Sequence, residues 1–177
     1  PLLKRKDSQA MEACYREFSP SVFAVIMKIL RDEQLALDIL QDTFIDVFNN
    51  IQKYTEGTNF AAWIKRISYN NTITLYKANR KFESIESEVV DLVPAVNLER
   101  QIDDYNLLDK MFQMLDERDR LVLWLFVAER YSHKEISDMF EMTESFSKSI
   151  VSRSLSKLRN SEEVKLYASL YGELGNG

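Results

Sequence analysis

Apolar residues recur along most of the chain at spacings of three and four, the period of a helix buried on one face. From Asp7 to Lys28 the pattern holds Met11, Cys14, Tyr15, Phe18, Val22 and Val25 or Ile26, with Pro20 predicting a kink or a break. From Asp32 to Ile51 the expected core stripe is Leu37, Leu40, Phe44, Val47 and Ile51. A third helix is expected from Phe60 to about Asn79, with Thr58 or Asn59 as its cap and Trp63, Ile64, Ile67 and Ile73 or Leu75 facing inward. Further on, Asp116 caps a segment running to Glu129 whose Leu121, Val122, Trp124, Leu125 and Phe126 read as buried. Ser132-His133-Lys134-Glu135 has the form of a capping box opening a short helix with Ile136, Met139 and Phe140. That helix breaks near Glu141-Met142, and Thr143 can cap a last one to about Asn160.

Glycine and proline punctuate this pattern only sparsely. Gly57 alone lies between Pro20 and Pro94, and neither residue occurs between Pro94 and Gly172, which leaves long uninterrupted stretches and predicts an all-α fold. Between Glu83 and Asp104 the periodicity fades: Glu83, Glu86, Glu88, Asp91, Glu99, Asp103 and Asp104 stand against Arg100 alone, around Pro94. This reads as an acidic linker, 83–104, between two small helical domains, 1–82 and 105–177, the second a helix-turn-helix.

Composition narrows the function classes. With 177 residues, 45% of them hydrophobic and 29% charged, the chain can bury one ordinary core or two small ones. The longest apolar run, Leu121 to Ala128, falls far short of the ~20 residues that cross a bilayer, so a cytoplasmic location is expected. The chain opens on Pro1 without an initiator Met and reads as lacking its native start. One cysteine, Cys14, and one histidine, His133, provide neither a disulfide framework nor a Cys/His metal site, and no cofactor is expected. No nucleophile has a matching base around it, so an enzyme is not expected.

Charge is distributed unevenly. The chain is acidic overall, net −5, yet from Gly57 to Phe82 it has no Asp or Glu. That segment carries Lys65, Arg66, Lys77, Arg80 and Lys81 among Phe60, Trp63, Tyr69 and Tyr76, with Asn70 and Asn71 between them. Cations for phosphates, rings for unstacked bases and amides for base edges suit single-stranded nucleic acid; a solvated basic helix with its aromatics in the core has the same composition. Arg66, Asn70, Thr74 and Lys77 recur at helical spacing as one polar stripe, and Asn79, Arg80 and Lys81 follow it as a place to hold a flipped base. Asp38, Asp42 and Asp46 stack at i, i+4 and i+8, a spacing that costs an isolated helix a few tenths of a kcal/mol per pair; it fits an acidic docking face or a solvated face with compensating cations nearby. The last helix carries Lys148, Arg153, Lys157 and Arg159 against Glu144 alone, as a helix entering a major groove would.

Taken together, the two halves resemble the extracytoplasmic-function group of bacterial sigma factors, the promoter-recognition subunits of RNA polymerase. Asp38-Ile39-Leu40-Gln41-Asp42-Thr43-Phe44 is similar to the helix that docks on the clamp coiled coil of the polymerase. Phe60-Ala61-Ala62-Trp63-Ile64-Lys65-Arg66-Ile67-Ser68-Tyr69-Asn70 resembles the region that melts and reads the minus-ten element. Leu115 to Leu125, Ser132 to Ser137 and Lys148 to Arg159 resemble the minus-thirty-five reader. The resemblance implies polymerase contacts at Asp38, Gln41, Asp42, Phe44 and Asp46, with the flap as a further contact. It implies minus-ten contacts at Trp63, Lys65, Arg66, Asn70, Asn71, Lys77, Asn79, Arg80 and Lys81. Minus-thirty-five contacts would be Ser132, His133, Lys134, Lys148, Ser149, Ser152, Arg153, Lys157 and Arg159.

The chain also departs from the family pattern. Leu37 replaces a customary acid, Thr74 and Lys77 replace an Asp and an Arg, Ser145-Phe146 replaces Gly-Thr, and Ile150 and Leu155 replace arginines. The expectation is an alternative sigma factor that binds core RNA polymerase, recognises promoter DNA and helps melt it. A stand-alone helix-turn-helix regulator and a helical protein-binding adaptor are the alternatives. For control, the family implies an anti-sigma factor, while the missing acid at Leu37 suggests a Ser/Thr kinase acting at Thr43, a candidate phosphosite expected near the docking surface.

Overall fold

The computed structural model describes residues 2–83, 110–162 and 164–165, with side chains to Ala78 in the first segment. The expected acidic linker falls almost wholly outside the described residues. The chain divides into two compact units, Pro1–Lys81 and Phe82–Gly177. Every regular element among the described residues is helical.

The first unit is built on α1 (Ser8–Leu30), α2 (Glu33–Asn50) and α3 (Phe60–Glu83). Polar caps fix their starts: Asp7 accepts from the Ala10 amide, Asp32 from Leu35 and Asn59 from Ala62, each satisfying a donor that the first turn leaves over. Arg31, in the left-handed region at φ 59°, ends α1 and allows the abrupt turn into α2. Pro20 does not break the chain into two helices: α1 runs through it. Pro20 is exposed, as is Arg16 one turn earlier, so the carbonyl that loses its partner faces water.

The core of this unit joins Val22, Ile26 and Ile29 of α1 to Ala36, Ile39, Leu40, Phe44 and Val47 of α2, and to Ile64, Tyr69 and Ile73 of α3. Cys14 is buried with them, and burial raises its thiol pKa, as suits a small apolar core residue. The inward stripe of α2 therefore runs through Ala36 and Ile39, while Leu37, expected inside, is 44% exposed. Its position one residue past Ala36 turns it about 100° away from the core.

The second unit holds α4 (Glu117–Val127), α5 (His133–Phe140) and α6 (Glu144–Arg159). Asp116 caps α4 through the Asp119 amide, and the expected capping box is present at α5: the Glu135 amide donates to Ser132 Oγ, and Glu135 Oε2 accepts from the Ser132 amide. Glu141 at φ 57° stops α5 where the break was expected. Thr143 occupies the cap position of α6 without a side-chain hydrogen bond. Leu121, Val122, Leu125, Ile136, Phe140, Ile150, Val151 and Leu158 form the core. Trp124 and Phe126 are only half buried and Val127 is exposed, so α4 is less enclosed than its composition suggests. Arg120 is buried, its guanidinium donating to the Leu115 carbonyl at 3.0 Å, which ties α4 to the segment before it.

Candidate nucleic-acid interface

Asp38, Gln41 and Asp42 are exposed on α2, and Asp46 is half buried. The three acids border a groove of about 450 Å³ between α2 and α3, lined also by Leu35, Ile39, Ile45, Leu75 and Ala78. Thr74, expected in the nucleic-acid stripe of α3, lines the same groove, so the acidic face and the polar stripe adjoin. Leu37 and Ile45, 44% and 49% exposed, give the outer surface of α2 an apolar component that the acid stripe alone does not suggest.

Two residues expected on this face are elsewhere. Phe44 is 3% exposed and packs edge-on against Tyr15 at 4.8 Å, so it supports α2 from inside and cannot contact a partner. Thr43 is fully buried, its hydroxyl donating to the Ile39 carbonyl at 2.6 Å. A kinase cannot reach it in the folded chain, and a phosphate has no room there; the phosphosite expectation is corrected accordingly. Thr43 directly follows Asp42, and one helical step of about 100° is enough to turn a side chain from solvent to core.

On α3 the acid-free segment is partly surface and partly core. Arg66, Asn70 and Thr74 are exposed, and Lys65 and Lys77 half buried. Tyr69 is entirely buried and presents no ring to a base. Trp63 belongs to a cluster: it stacks on Phe60 at 5.7 Å and 19° and lies 5.4 Å from Tyr54, while Phe60 meets Phe18 of α1 at 5.4 Å. The Tyr54 hydroxyl donates to the Thr58 carbonyl, closing the loop ahead of α3. Asn71 does not stand free for a base edge, because its Nδ2 donates to Asp46 Oδ2 at 3.1 Å and joins α3 to α2. The side chains of Asn79, Arg80 and Lys81 lie outside the described residues.

Sequence reasoning missed a cleft of about 310 Å³ lined by Asp46, Asn50, Lys53, Trp63, Ile67, Asn70 and Asn71. Asn50 and Lys53 come from the end of α2 and the turn after it, where no charge run or periodicity marks them. The Trp63 ring, the exposed Asn70 amide and the Lys53 ammonium group converge there, while the Asn50 and Asn71 amides already donate to Asp46, whose carboxylate also lines the cleft; a ring, an amide and a cation suit an unstacked base and its phosphate.

In the second unit α6 packs on α4 and α5 and exposes the opposite face. Ser149, Ser152, Arg153, Lys157 and Arg159 are exposed along it. Lys148 is exposed and paired with Glu144 at 2.8 Å, which holds the Glu144 carboxyl below its usual range, first through that hydrogen bond and then through the Lys148 charge. Arg153 and Lys157 border a hollow whose other wall carries Asp116 and Asp119. Ile150, at a position read as usually arginine, is buried, whereas Leu155 is 40% exposed. Lys134 and Ser132 are exposed at the start of α5, Ser132 being engaged in the cap. His133 is half buried and engaged within the unit. Its ring stacks on Phe126 at 4.5 Å and 13°, and its Nδ1 lies 3.1 Å from Ser147 Oγ.

Comparison with known proteins bears on this arrangement. Residues 14–82 match the family described as sigma-70 region 2, and residues 105–158 match sigma-70 region 4. The chain is 20% identical over 152 residues to the ECF RNA polymerase sigma factor SigM of Bacillus subtilis (strain 168), covering 84% of this chain and 93% of that one. It is 27% identical over 154 residues to the RNA polymerase sigma factor CarQ of Myxococcus xanthus, covering 85% and 87%. Among solved structures, the sigma factor RpoE, crystallised with the anti-sigma factor NepR from Bartonella quintana, shares the fold at a TM-score of 0.54 and 22% identity, over 89% of this chain and 98% of that one. The chain belongs to the extracytoplasmic-function group of the sigma-70 family. It is an alternative sigma factor, acting in transcription initiation with RNA polymerase and promoter DNA as its partners.

Proposed function

We propose that the two units divide promoter recognition, with region 2 holding the melted minus-ten strand on α3 and its cleft, and region 4 placing α6 in the major groove of the upstream element. The cleft of Lys53, Trp63 and Asn70 carries this reading, because it offers a flipped base a ring, an amide and a cation in one place. Arg66 and Lys77 hold the strand's backbone along the helix. The acidic groove of Asp38 and Asp42, with Gln41, Leu37 and Ile45 beside it, docks on the clamp coiled coil of core polymerase. The flap is the corresponding contact of region 4. Catalysis, Mg²⁺ and nucleotides belong to the polymerase, and the protein works where the polymerase does, in the cytoplasm. An anti-sigma factor covering the α2–α3 groove is the control this reading favours; the shared fold with a sigma factor crystallised with its anti-sigma factor supports it.

Run-off transcription by core polymerase on a promoter library, with and without the chain, tests the function. The double substitution Arg66→Ala with Lys77→Ala should abolish open-complex formation while leaving core binding intact. Each cation removed from a phosphate should also flatten the salt dependence, by about 0.7 for single-stranded DNA. Unchanged promoter melting in that variant would refute the assignment of the α3 face.

A further inference from the structure

The only histidine of the chain stands where α4, α5 and α6 meet. His133 is the first residue of α5 and is half buried. Its ring lies flat on Phe126 from α4 and reaches Ser147 in the first turn of α6. Ser147 is fully buried, so its hydroxyl cannot touch DNA and relies on a partner inside the protein. The buried hydroxyls of Ser137 on α5 and Ser154 on α6 have no hydrogen-bond partner, whereas His133 and Ser147 supply a directional link between α5 and α6. Around it, Phe140 of α5 and Phe146 of α6 pack tilted at 5.3 Å, and Ile136 and Ile150 are buried, so apolar, non-directional packing also contributes between these helices. Apolar packing tolerates small slides and rotations, whereas a hydrogen bond of 3.1 Å sets one position.

We propose that His133 is a positioning residue for upstream-element recognition: through Ser147 it fixes the depth and rotation of the first turn of α6, and it makes no contact with DNA itself. This rests on the reading of α6 as the duplex reader. Lys148 and Ser149 follow Ser147 directly, so a rotation of that turn displaces the first groove-facing side chains. A base-edge contact needs placement within a fraction of an ångström, while a phosphate contact by a long cation absorbs the shift. The bond therefore governs discrimination between sequences more than overall affinity.

Reconstituted holoenzyme is assayed for its preference between an upstream element selected from a library and a scrambled one, across a salt series. His133→Ala and Ser147→Ala should each lower the preference by about three- to tenfold, the range of one ordinary hydrogen bond. The double variant should lose no more than either single one, and both should leave the salt slope unchanged. His133→Asn, whose amide can occupy the Nδ1 position, should stay within about twofold of wild type. Thermal melts of each chain confirm that the unit remains folded, and Ser147→Ala, which deletes a single oxygen, keeps the comparison open should His133→Ala unfold. Additive losses, a silent Ser147→Ala, or a salt slope that falls by about 1 in His133→Ala would overturn the proposal, the last by making His133 a phosphate contact. The triple variant Lys148→Ala, Arg153→Ala, Lys157→Ala separates this failure from that of the underlying reading. If it too leaves duplex binding unchanged, α6 is not the duplex reader at all.

Discussion

Two cationic helices, α3 and α6, are assigned to nucleic acid, and they are held in opposite ways. α3 is embedded: Tyr69, Ile64 and Ile73 are buried, Trp63 sits in a ring cluster with Tyr54 and Phe60, and Asn71 is tied to Asp46 across to α2. α6 is a ridge, with buried residues on one side and Ser149, Ser152, Arg153, Lys157 and Arg159 exposed on the other. A melted strand has to have its bases unstacked and held, which calls for a rigid cleft built from several elements. A duplex groove is already formed and accepts a protruding helix. On the proposed reading, the same residue types would serve two tasks through their different degree of enclosure.

The largest effects expected from this contrast concern stability in the embedded helix. Tyr69→Ala should destabilise the chain by about 3–5 kcal/mol, as for other large buried aromatics, in a urea titration followed by circular dichroism. Leu155→Ala, on the open face of α6, should change it by less than about 0.5 kcal/mol. Comparable losses at the two sites would erase the distinction between embedded helix and ridge.

Thr43→Asp ranks next. It places a carboxylate where a hydroxyl now donates to the Ile39 carbonyl, at full burial, and should cost on the order of 3 kcal/mol, whereas Thr43→Ser should cost about 1 kcal/mol or less. The folded chain should also resist phosphorylation at this position by any Ser/Thr kinase. Stoichiometric phosphorylation of Thr43 without loss of helicity would contradict the burial.

These outcomes bear on what is legible in the sequence. The second unit is legible almost to the residue, because short helices advertise their ends: Asp116, the Ser132–Glu135 box and the break at Glu141 are local signals that tertiary packing does not override. The first unit is legible in its helices and less so in its faces. A helix covered from more than one side has no clean polar stripe, so periodicity puts Leu37 inside although it lies outside, adjacency to Asp42 puts Thr43 near the docking surface although it is buried, and composition leaves Tyr69 open between a base-stacking ring and the core, where it lies. Propensity alone allows Pro20 to break the helix, and α1 continues through it with its core residues packed on both sides of Pro20. The Asn71–Asp46 bond and the Asn50–Lys53 cleft wall depend on residues distant in sequence meeting in space, for which a single chain offers no signal. His133 is legible only in part: a polar residue in a capping box reads as surface, and its packing against Phe126 and Ser147 carries no sequence signal.

A medium-sized effect separates two adjacent amides. Asn71→Ala removes the bond to Asp46 and should lower stability by about 1 kcal/mol, with minus-ten recognition reduced indirectly. Asn70→Ala, at an exposed position lining the cleft, should leave stability within about 0.5 kcal/mol while reducing open-complex formation at the preferred promoter. Chemical denaturation and permanganate footprinting of the melted strand measure the two properties separately. If Asn71→Ala impairs melting and leaves stability untouched, Asn71 is the reader and the Asp46 contact is incidental.

The smallest effect lies on the ridge, where Lys148 is paired with Glu144 at 2.8 Å. The pair lowers the Glu144 pKa below its usual 4.5, first by the hydrogen bond and then by the Lys148 charge. A carboxyl depressed in the folded state favours folding above its unfolded pKa and loses that contribution as pH falls through the folded value. The window therefore lies below about pH 4.5, outside the physiological range, and both groups are exposed, so the pair adds little to stability. Its consequence is for DNA: with Glu144 ionised, Lys148 is partly neutralised and Glu144 itself repels phosphates. Glu144→Gln should therefore raise duplex affinity at neutral pH and steepen the salt slope by up to about 0.9, the value of one added phosphate contact, without altering base preference. Lys148→Ala should do the reverse in slope while leaving the melting temperature nearly unchanged. A Glu144→Gln variant that shifts base preference would show that Lys148 reads a base edge, and would move the specificity of the ridge to its first turn.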